Sequence, residues 1–252
     1  MSLINHPNMI HIDKNVTLWR YIKLEYFKSL IQKGSLFFCR TDKFSDPFEG
    51  SLPKIEQKHR DNILPSNHPL SNLHINMKKA VCVNCWQINN NESDAMWRIY
   101  LKSNEGVAIQ TNFNSLRKAL HKTEENILSS KIRYINYETQ TWYDEIEYPH
   151  KNYNTLTPLI HKRIEFIHEN EFRLLFEDKN ILRMPDYWEN QENHMGFFIK
   201  VDINQLVERI YLPPTIDEKS EYTIRDIVKS QNYNFGLKGK KRLLKCSLSL
   251  YA

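Results

Sequence analysis

Short strand-like and helical segments follow one another along this chain without the steady strand–helix–strand rhythm of a doubly wound fold. Along residues 16–22, Val16, Leu18, Arg20 and Ile22 fall on one face and Trp19 and Tyr21 on the other, which predicts a strand with two distinct faces. Residues 23–33 repeat apolar side chains at helical spacing, and Gly34 is a natural stop for that helix. The pattern favours an α+β fold, a single domain with a mixed or largely antiparallel sheet (or two facing sheets) and peripheral helices.

The remaining segments extend this pattern over the whole length of 252 residues. We expect one domain over 1–252, with 1–15 as an N-terminal extension. Polar loops are expected at 138–154, which could act as a lid, and at 178–194. Further strands are predicted at 35–40, 80–86, 106–111, 130–137, 172–177, 196–202 and 208–212. Further helices are predicted at 94–102, 113–122, 156–168 and 217–231. We also expect surface helical turns at 51–79 and a basic strand-like stretch at 240–250.

Composition limits the classes of protein to consider. The formal net charge of +5 allows a nucleotide or nucleic-acid partner without requiring one. With only 6 glycines and no GxGxxG or Walker-type motif, a Gly-rich phosphate loop is not expected. The chain shows no signal peptide and no apolar run that could span a membrane, so we expect a cytoplasmic location with four reduced cysteines and no membrane partner. The sequence does not fix the oligomeric state.

An ordered set of five segments carries a family resemblance. They are LWRYI (18–22), FSDPFEG (44–50), CWQINNNESDAMWRIY (85–100), FIHENEFRLL (166–175) and VERIYLPP (207–214). In order and spacing, over about 16–250, they resemble the bacterial family called domain of unknown function (DUF) 2971. The resemblance implies a bacterial, cytoplasmic protein whose chemistry is unassigned.

Arg20 and the pair Glu169-x-Glu171 are similar to the pattern of ADP-ribosyltransferases. That resemblance implies NAD as a substrate, and no cofactor is otherwise implied. Arg20 would hold the phosphates, Glu171 would stabilise the oxocarbenium-like transition state, and Glu169 would orient the acceptor. Such enzymes carry a Ser-Thr-Ser-like strand, whereas the matching strand here reads VCVNCW (81–86), which departs from the pattern.

A structural interpretation of the same residues stays open. Glu169, Glu171 and Arg173 alternate along an extended segment and can share a face, as in a charge network between strands. Arg20 lies among apolar residues and would then pair with one of these carboxylates, since a buried arginine needs a partner.

Aromatic residues could complete a nucleotide site. We count Tyr21, Trp86 and Trp97, with Arg20 and Arg173, as candidate cofactor-binding residues because flat rings can stack on a base. The alternative is a helix at 94–102 that packs on the sheet, since Met96 and Tyr100 have core spacing.

No metal site is predicted. Cys82 and Cys85 are three residues apart in a predicted strand and would point to opposite faces, and the 10 histidines form no HExxH or HxH motif. The basic run 238–245 could contact phosphates or simply form a solvated edge.

The turn 44–50 is expected to close over the end of the sheet beside the site. Phe44 and Phe48 would be substantially buried, and Asp46 would accept hydrogen bonds from nearby backbone N–H groups.

The sequence thus supports three hypotheses about function, of which the first two are the main ones. The first is a nucleotide-handling enzyme, most concretely a divergent NAD-dependent ADP-ribosyltransferase with a role in toxicity or phage defence. The second is a nucleotide or nucleic-acid binding module without catalysis, which would not need Glu171. The third is a protein interaction domain with an aromatic surface.

Overall fold

The structure, a computed structural model, describes residues 3–4, 6–7, 9–65, 68, 71, 73–101, 105–142, 155–179, 194–213, 216–230 and 243–245. Most of the two predicted polar loops and of the basic run 238–245 lies outside these residues. The described strands are β1 (Leu3–Ile4), β2 (Thr17–Lys23), β3 (Ser35–Arg40), β4 (Val81–Ile88), β5 (Gly106–Asn112), β6 (Ile127–Lys131), β7 (Arg133–Ile135), β8 (His161–Arg163), β9 (Glu171–Glu177), β10 (Gly196–Lys200), β11 (Arg209–Leu212) and β12 (Leu243–Lys245).

Helices of varied length flank these strands. The α-helices are α1 (Leu24–Lys33), α2 (Lys54–Ile63), α3 (Leu73–Ala80), α4 (Asp94–Tyr100), α5 (Phe113–Ala119), α6 (Ile203–Leu206) and α7 (Glu218–Ser230), and short 3-10 helices lie at Thr41–Lys43, Thr157–Ile160 and Ile164–Glu169.

Ten of the described strands form one sheet in which β1, β6, β9, β4, β2, β5, β11 and β12 lie side by side, while β3 pairs with β4 and β10. The pairs are antiparallel except at the edges, where β1 runs parallel to β6 and β12 parallel to β11. The predicted α+β class with a largely antiparallel sheet is therefore confirmed. β7 and β8 form a separate parallel pair.

The sheet opens between β2 and β4, and this split positions the site. β2 pairs with β5 over its full length, from Thr17 to Lys23. It pairs with β4 only through Leu18 and Trp19, which lie opposite Ile88 and Gln87. From Arg20 onward β2 no longer pairs with β4, so a space opens along this part of the strand.

Alternation along β2 sends its side chains to two different clusters. Leu18 and Ile22 join the main core, where α1 contributes Phe27 and Ile31. Trp19, like Tyr21, packs instead with Met96, Trp97 and Tyr211. α4 is held there because the Ser93 side chain accepts a hydrogen bond from the backbone N–H of Met96, which satisfies a free donor of the first turn. The predicted two-faced strand is present.

The helix predicted at 156–168 is wrong. The chain instead forms a 3-10 turn, then β8, then a second 3-10 helix. Apolar residues at helical spacing suggested a helix, but contacts with distant parts of the chain determine the structure of this segment. His161–Arg163 pairs with β7, and the Lys162 side chain lies next to buried carboxylates. The predicted strand 130–137 likewise divides into β6 and β7.

The turn 44–50 is placed near the site, but its anchors differ from the prediction. The Asp46 Oδ1 atom accepts a hydrogen bond from the backbone N–H of Phe48 at 3.1 Å, as predicted. Phe48, however, is 50% exposed, so its predicted burial is wrong. Its ring instead lies 4.5 Å from the guanidinium of Arg163, which is itself paired with Asp46. Phe44 is half-buried and packs against a core cluster, and the fully buried side chain of this turn is that of Glu49.

We therefore expect Phe48→Ala to lower the free energy of unfolding by less than about 1 kcal/mol, because only an exposed cation–π contact is lost. Phe38→Ala, at a fully buried ring, should cost about 3–5 kcal/mol and serves as the comparison. Urea denaturation of both variants measures the difference, and equal losses would show that Phe48 is a core residue.

Candidate functional site

A pocket of about 290 Å³ lies at the split in the sheet. Its wall includes five of the seven residues singled out from the sequence as a candidate site. They are Arg20, Tyr21, Trp86, Glu169 and Glu171. We call it the carboxylate pocket. β2 and the β4–β9 pair thus bring residues that are about 150 positions apart in the sequence to one cavity.

Arg20 spans the split with its side chain. The Arg20 Nη1 atom donates a hydrogen bond to the backbone carbonyl of Cys85 on β4 at 2.7 Å. The guanidinium carbon lies 5.8 Å from the centre of the Trp86 ring. No carboxylate in the described part of the chain forms an ion pair with Arg20, and its Nε and Nη2 atoms bond to no described acceptor. Burial lowers the pKa of this guanidinium, because the charged form loses contact with water in the split.

Arg173 lies at the centre of a buried ion network behind the pocket. It is fully buried and binds Glu171 through two hydrogen bonds, Nε to Oε1 at 2.6 Å and Nη2 to Oε2 at 3.0 Å. Its Nη1 atom lies 2.6 Å from Glu49 Oε1 and also donates to the carbonyl of Leu159 at 2.8 Å. This planar fork fixes the orientation of Glu171.

Lys162 joins the three carboxylates of the network. Its Nζ atom lies 2.5 Å from Glu169 Oε2, 3.3 Å from Glu171 Oε2 and 3.7 Å from Glu49 Oε2. With Arg173, three carboxylates face two cations, which leaves one net negative charge. Two of the three carboxylates, Glu169 and Glu171, lie in the pocket wall.

Burial and the charges of the network together shift the pKa values of side chains in the pocket wall. Burial opposes ionisation of Glu171, but Arg173 and then Lys162 outweigh it and lower the pKa of Glu171 to about 2. Burial, with the nearby Glu171 charge, raises the pKa of the Cys85 thiol, which favours its protonated form. Burial likewise raises the pKa of Tyr100, whose hydroxyl lies 3.4 Å from Glu169 Oε1.

The depressed pKa of Glu171 makes stability depend on pH. Because the folded-state pKa lies below the usual value of 4.5, this carboxylate stabilises the fold above pH 4.5, and the contribution is lost as the pH falls toward 2. We expect the free energy of unfolding of the wild type to drop over this window and the drop to be smaller in Glu171→Gln. Urea titrations at pH 7, 4 and 3 measure both. Parallel losses in the two proteins would contradict the assignment.

The two remaining candidate residues support the wall from behind. Arg173 is fully buried and does not line the pocket. Trp97 is also buried and packs edge-on against Tyr21, with ring centres 5.1 Å apart. The Glu171–Arg173 pair has the geometry of the charge network proposed from the sequence, whereas Arg20 is not a member of that network.

Sequence reasoning missed Glu49 and Lys162. Glu49 belongs to the FSDPFEG segment, which was noted for its turn and its phenylalanines rather than for its carboxylate. Lys162 lies in a segment that was predicted as a helix, and that prediction did not indicate that its side chain would reach the carboxylates. A lone acidic residue between two apolar or small ones, as in Phe48-Glu49-Gly50, is the signal that could have indicated a buried charge.

A second, larger pocket of about 570 Å³ adjoins the first. Both pockets are lined by Arg20, Ile22, Tyr26, Phe37 and Cys39, so Arg20 stands where they meet. The second pocket, which we call the aromatic pocket, has the apolar residues Leu30, Leu36, Met195 and Phe198 in the rest of its wall, together with the polar residues Glu25, Ser29 and Ser35.

No trio of potential metal ligands converges in the part of the chain that the structure describes. Cys82 lies in the main core and Cys85 in the pocket wall, so the two thiols point to opposite faces of β4. Among the described helices, none has the length and apolar character needed to cross a membrane.

Fold and site together define an α+β protein with a pocket whose wall holds charged and aromatic side chains. The profile of the family described as "Protein of unknown function (DUF2971)" matches residues 96–174, which confirms the resemblance over this range. The range holds Glu169, Glu171 and Arg173 but not Arg20. No curated protein matches the chain. Among solved structures, Thermus sp. 2.9 DarT in complex with ADP-ribosylated ssDNA is similar, with 11% sequence identity, a TM-score of 0.34, and 94% of this chain and 96% of that chain covered.

Proposed function

We propose that this chain is a nucleotide-handling enzyme, most concretely a NAD-dependent ADP-ribosyltransferase. One observation carries the proposal. The Arg20 guanidinium, which has no carboxylate partner among the described residues, lines the same pocket as Glu169 and Glu171. A pocket that offers an available cation beside a net negative cluster suits a ligand with an anionic part and a part that becomes positive.

Arg20 is the phosphate-binding residue in this proposal. A guanidinium binds pyrophosphate through a planar fork of N–H donors, and Nε and Nη2 of Arg20 bond to no described acceptor. Its position between the two pockets suits a dinucleotide, because the pyrophosphate lies between two nucleoside halves. The aromatic pocket would take one flat base against Tyr26, Phe37 and Phe198, and the carboxylate pocket would take the other half.

Glu171 and Glu169 would act on the ribose–nicotinamide bond. As that bond breaks, its electron pair leaves with nicotinamide and the ribose C1′ becomes oxocarbenium-like, which the ionised Glu171 stabilises. The acceptor's nucleophilic atom then bonds to C1′ and loses its proton. Glu169 would orient that acceptor, which is supported by its Oε1 atom: among the described residues, this atom receives only the long 3.4 Å contact from Tyr100.

The alternative of a nucleotide or nucleic-acid binding module without catalysis has its own support. Arg173 and Lys162 occupy most acceptor positions of Glu171, as they would in a purely structural network. Such a module would bind NAD or a nucleic acid through Arg20 and the aromatic residues and would leave the ligand unchanged.

Release of nicotinamide separates these functions. The purified chain would be incubated with NAD labelled in the nicotinamide ring, together with cell lysate or single-stranded DNA as a source of acceptors. Release well above that of heat-denatured protein supports the transferase. Binding of NAD with release at background for every acceptor would leave only the binding module. A toxin or defence role adds that expression of the active chain should arrest growth of the host cell.

A further inference from the structure

Gln87 on β4 holds a position in the carboxylate pocket that no other part of the proposed mechanism uses. It lies in the wall of the pocket and is only 4% exposed. Its neighbours across the sheet are Trp19 on β2 and Glu171 on β9. Gln87 is therefore fixed between an aromatic ring and the carboxylate assigned to the reaction.

The amide oxygen of Gln87 lacks a hydrogen bond. Its Nε2 atom donates a long bond of 3.5 Å to the backbone carbonyl of His168, whereas Oε1 has no partner in the described part of the chain. Reversing the amide would place two oxygens against each other at His168, so this orientation is the favourable one. A buried acceptor without a donor destabilises the fold, and such a group calls for a functional explanation.

Three donors in the pocket wall are engaged elsewhere. The Trp19 ring N–H donates to the carbonyl of Asn89 at 2.9 Å. The Trp86 ring N–H donates to Asn84 Oδ1 at 2.7 Å. The Tyr100 hydroxyl points to Glu169 Oε1 at 3.4 Å. With Arg20 assigned to the phosphates, an N–H group of the bound ligand would supply the donor to Gln87 Oε1.

We propose that Gln87 is a specificity-determining residue whose Oε1 atom accepts a hydrogen bond from the carboxamide N–H of the nicotinamide ring. This inference rests on the proposed function. If Arg20 holds the phosphates and Glu171 faces the ribose, the nicotinamide ring lies beyond the ribose, on the Glu171 side of the pocket. A site built to bind an N–H group discriminates strongly against an analogue that lacks it, because the buried acceptor is then left without a partner.

The test compares NAD with 3-acetylpyridine adenine dinucleotide, in which an acetyl group replaces the carboxamide. The analogue is of similar shape and charge but has no N–H donor. Isothermal titration calorimetry would be done on wild type, on Gln87→Met and on Gln110→Met. Gln110, on strand β5 two strands away from β4, is the matched control because it does not line the pocket.

We expect wild type and Gln110→Met to bind NAD at least about tenfold more tightly than the analogue. In Gln87→Met this preference should disappear through weaker binding of NAD, while affinity for the analogue stays within about twofold. Its melting temperature should not fall, because an unpaired buried acceptor has been removed.

Each other outcome overturns the inference in a recognisable way. If wild type prefers NAD and Gln87→Met keeps that preference, only the role of Gln87 is wrong. If wild type binds both dinucleotides equally, the pocket does not recognise the N–H group of the carboxamide. If wild type binds neither, this inference and the proposed function fall together.

Discussion

Arg173→Met is expected to lower the free energy of unfolding by about 3–5 kcal/mol, the loss typical of breaking a buried ion pair on one side. Methionine removes the positive charge while it keeps a long, flexible side chain. Glu49 and Glu171 would remain buried, with Lys162 as the only cation within ion-pair distance among the described residues. The Leu159 carbonyl would also lose its donor. A loss of this size is a large fraction of the stability of an ordinary domain.

Urea denaturation at pH 7 measures this effect, with Arg117→Met as control. Arg117 is exposed on α5 and forms only a long contact with Asn114, so its replacement should change stability by no more than about 0.5 kcal/mol. Adding Glu49→Gln to Arg173→Met should recover part of the loss, because one uncompensated charge is removed. Equal effects of Arg173→Met and Arg117→Met would show that the network does not hold the fold.

Glu171→Gln is expected to slow nicotinamide release by on the order of a hundredfold or more. Glutamine keeps the shape of the side chain and can still accept a hydrogen bond from Arg173, but it removes the negative charge next to the reacting ribose. The five-residue cluster would then carry no net charge, and an oxocarbenium-like centre would lose its electrostatic stabilisation. Affinity for NAD should change much less than the rate, because the charge acts mainly on the transition state.

Glu177→Gln provides the matched control for this rate. Glu177 ends the same strand, β9, and does not line the pocket, so its variant should release nicotinamide at the wild-type rate. Thermal melts of both variants separate loss of fold from loss of catalysis. A folded Glu171→Gln protein that works at the wild-type rate would remove Glu171 from the mechanism.

Local patterns accounted for much of the fold. The alternation along 16–22 predicted both faces of β2, and the helical spacing that stops at Gly34 predicted α1. The same period of two placed Glu171 and Arg173 on one face of β9, where they now form a bidentate pair. These predictions held because they depend on spacing within one segment, which the surrounding structure rarely overrides.

The site itself depends on contacts that no single segment reveals. The split in the sheet arises where β2 stops pairing with β4, and no residue type in either strand signals that point. Lys162 reaches Glu169 because 161–163 forms a short strand against β7, in spite of helical spacing around it. Phe48 was expected in the core on hydrophobicity alone, yet Glu49 is the residue of that turn which goes inside, because Arg173 and Lys162 compensate its charge.

Titration of NAD into wild type and into Arg20→Lys tests the central claim most directly, namely that the pocket at the split holds a dinucleotide on Arg20. Lysine keeps the positive charge but loses the planar fork, so affinity should fall at least about tenfold, while AMP, with a single phosphate, should lose less. Binding by the wild type should also weaken as salt is raised from 50 to 500 mM. Equal affinity of both proteins for NAD, or no binding by the wild type, would contradict the account.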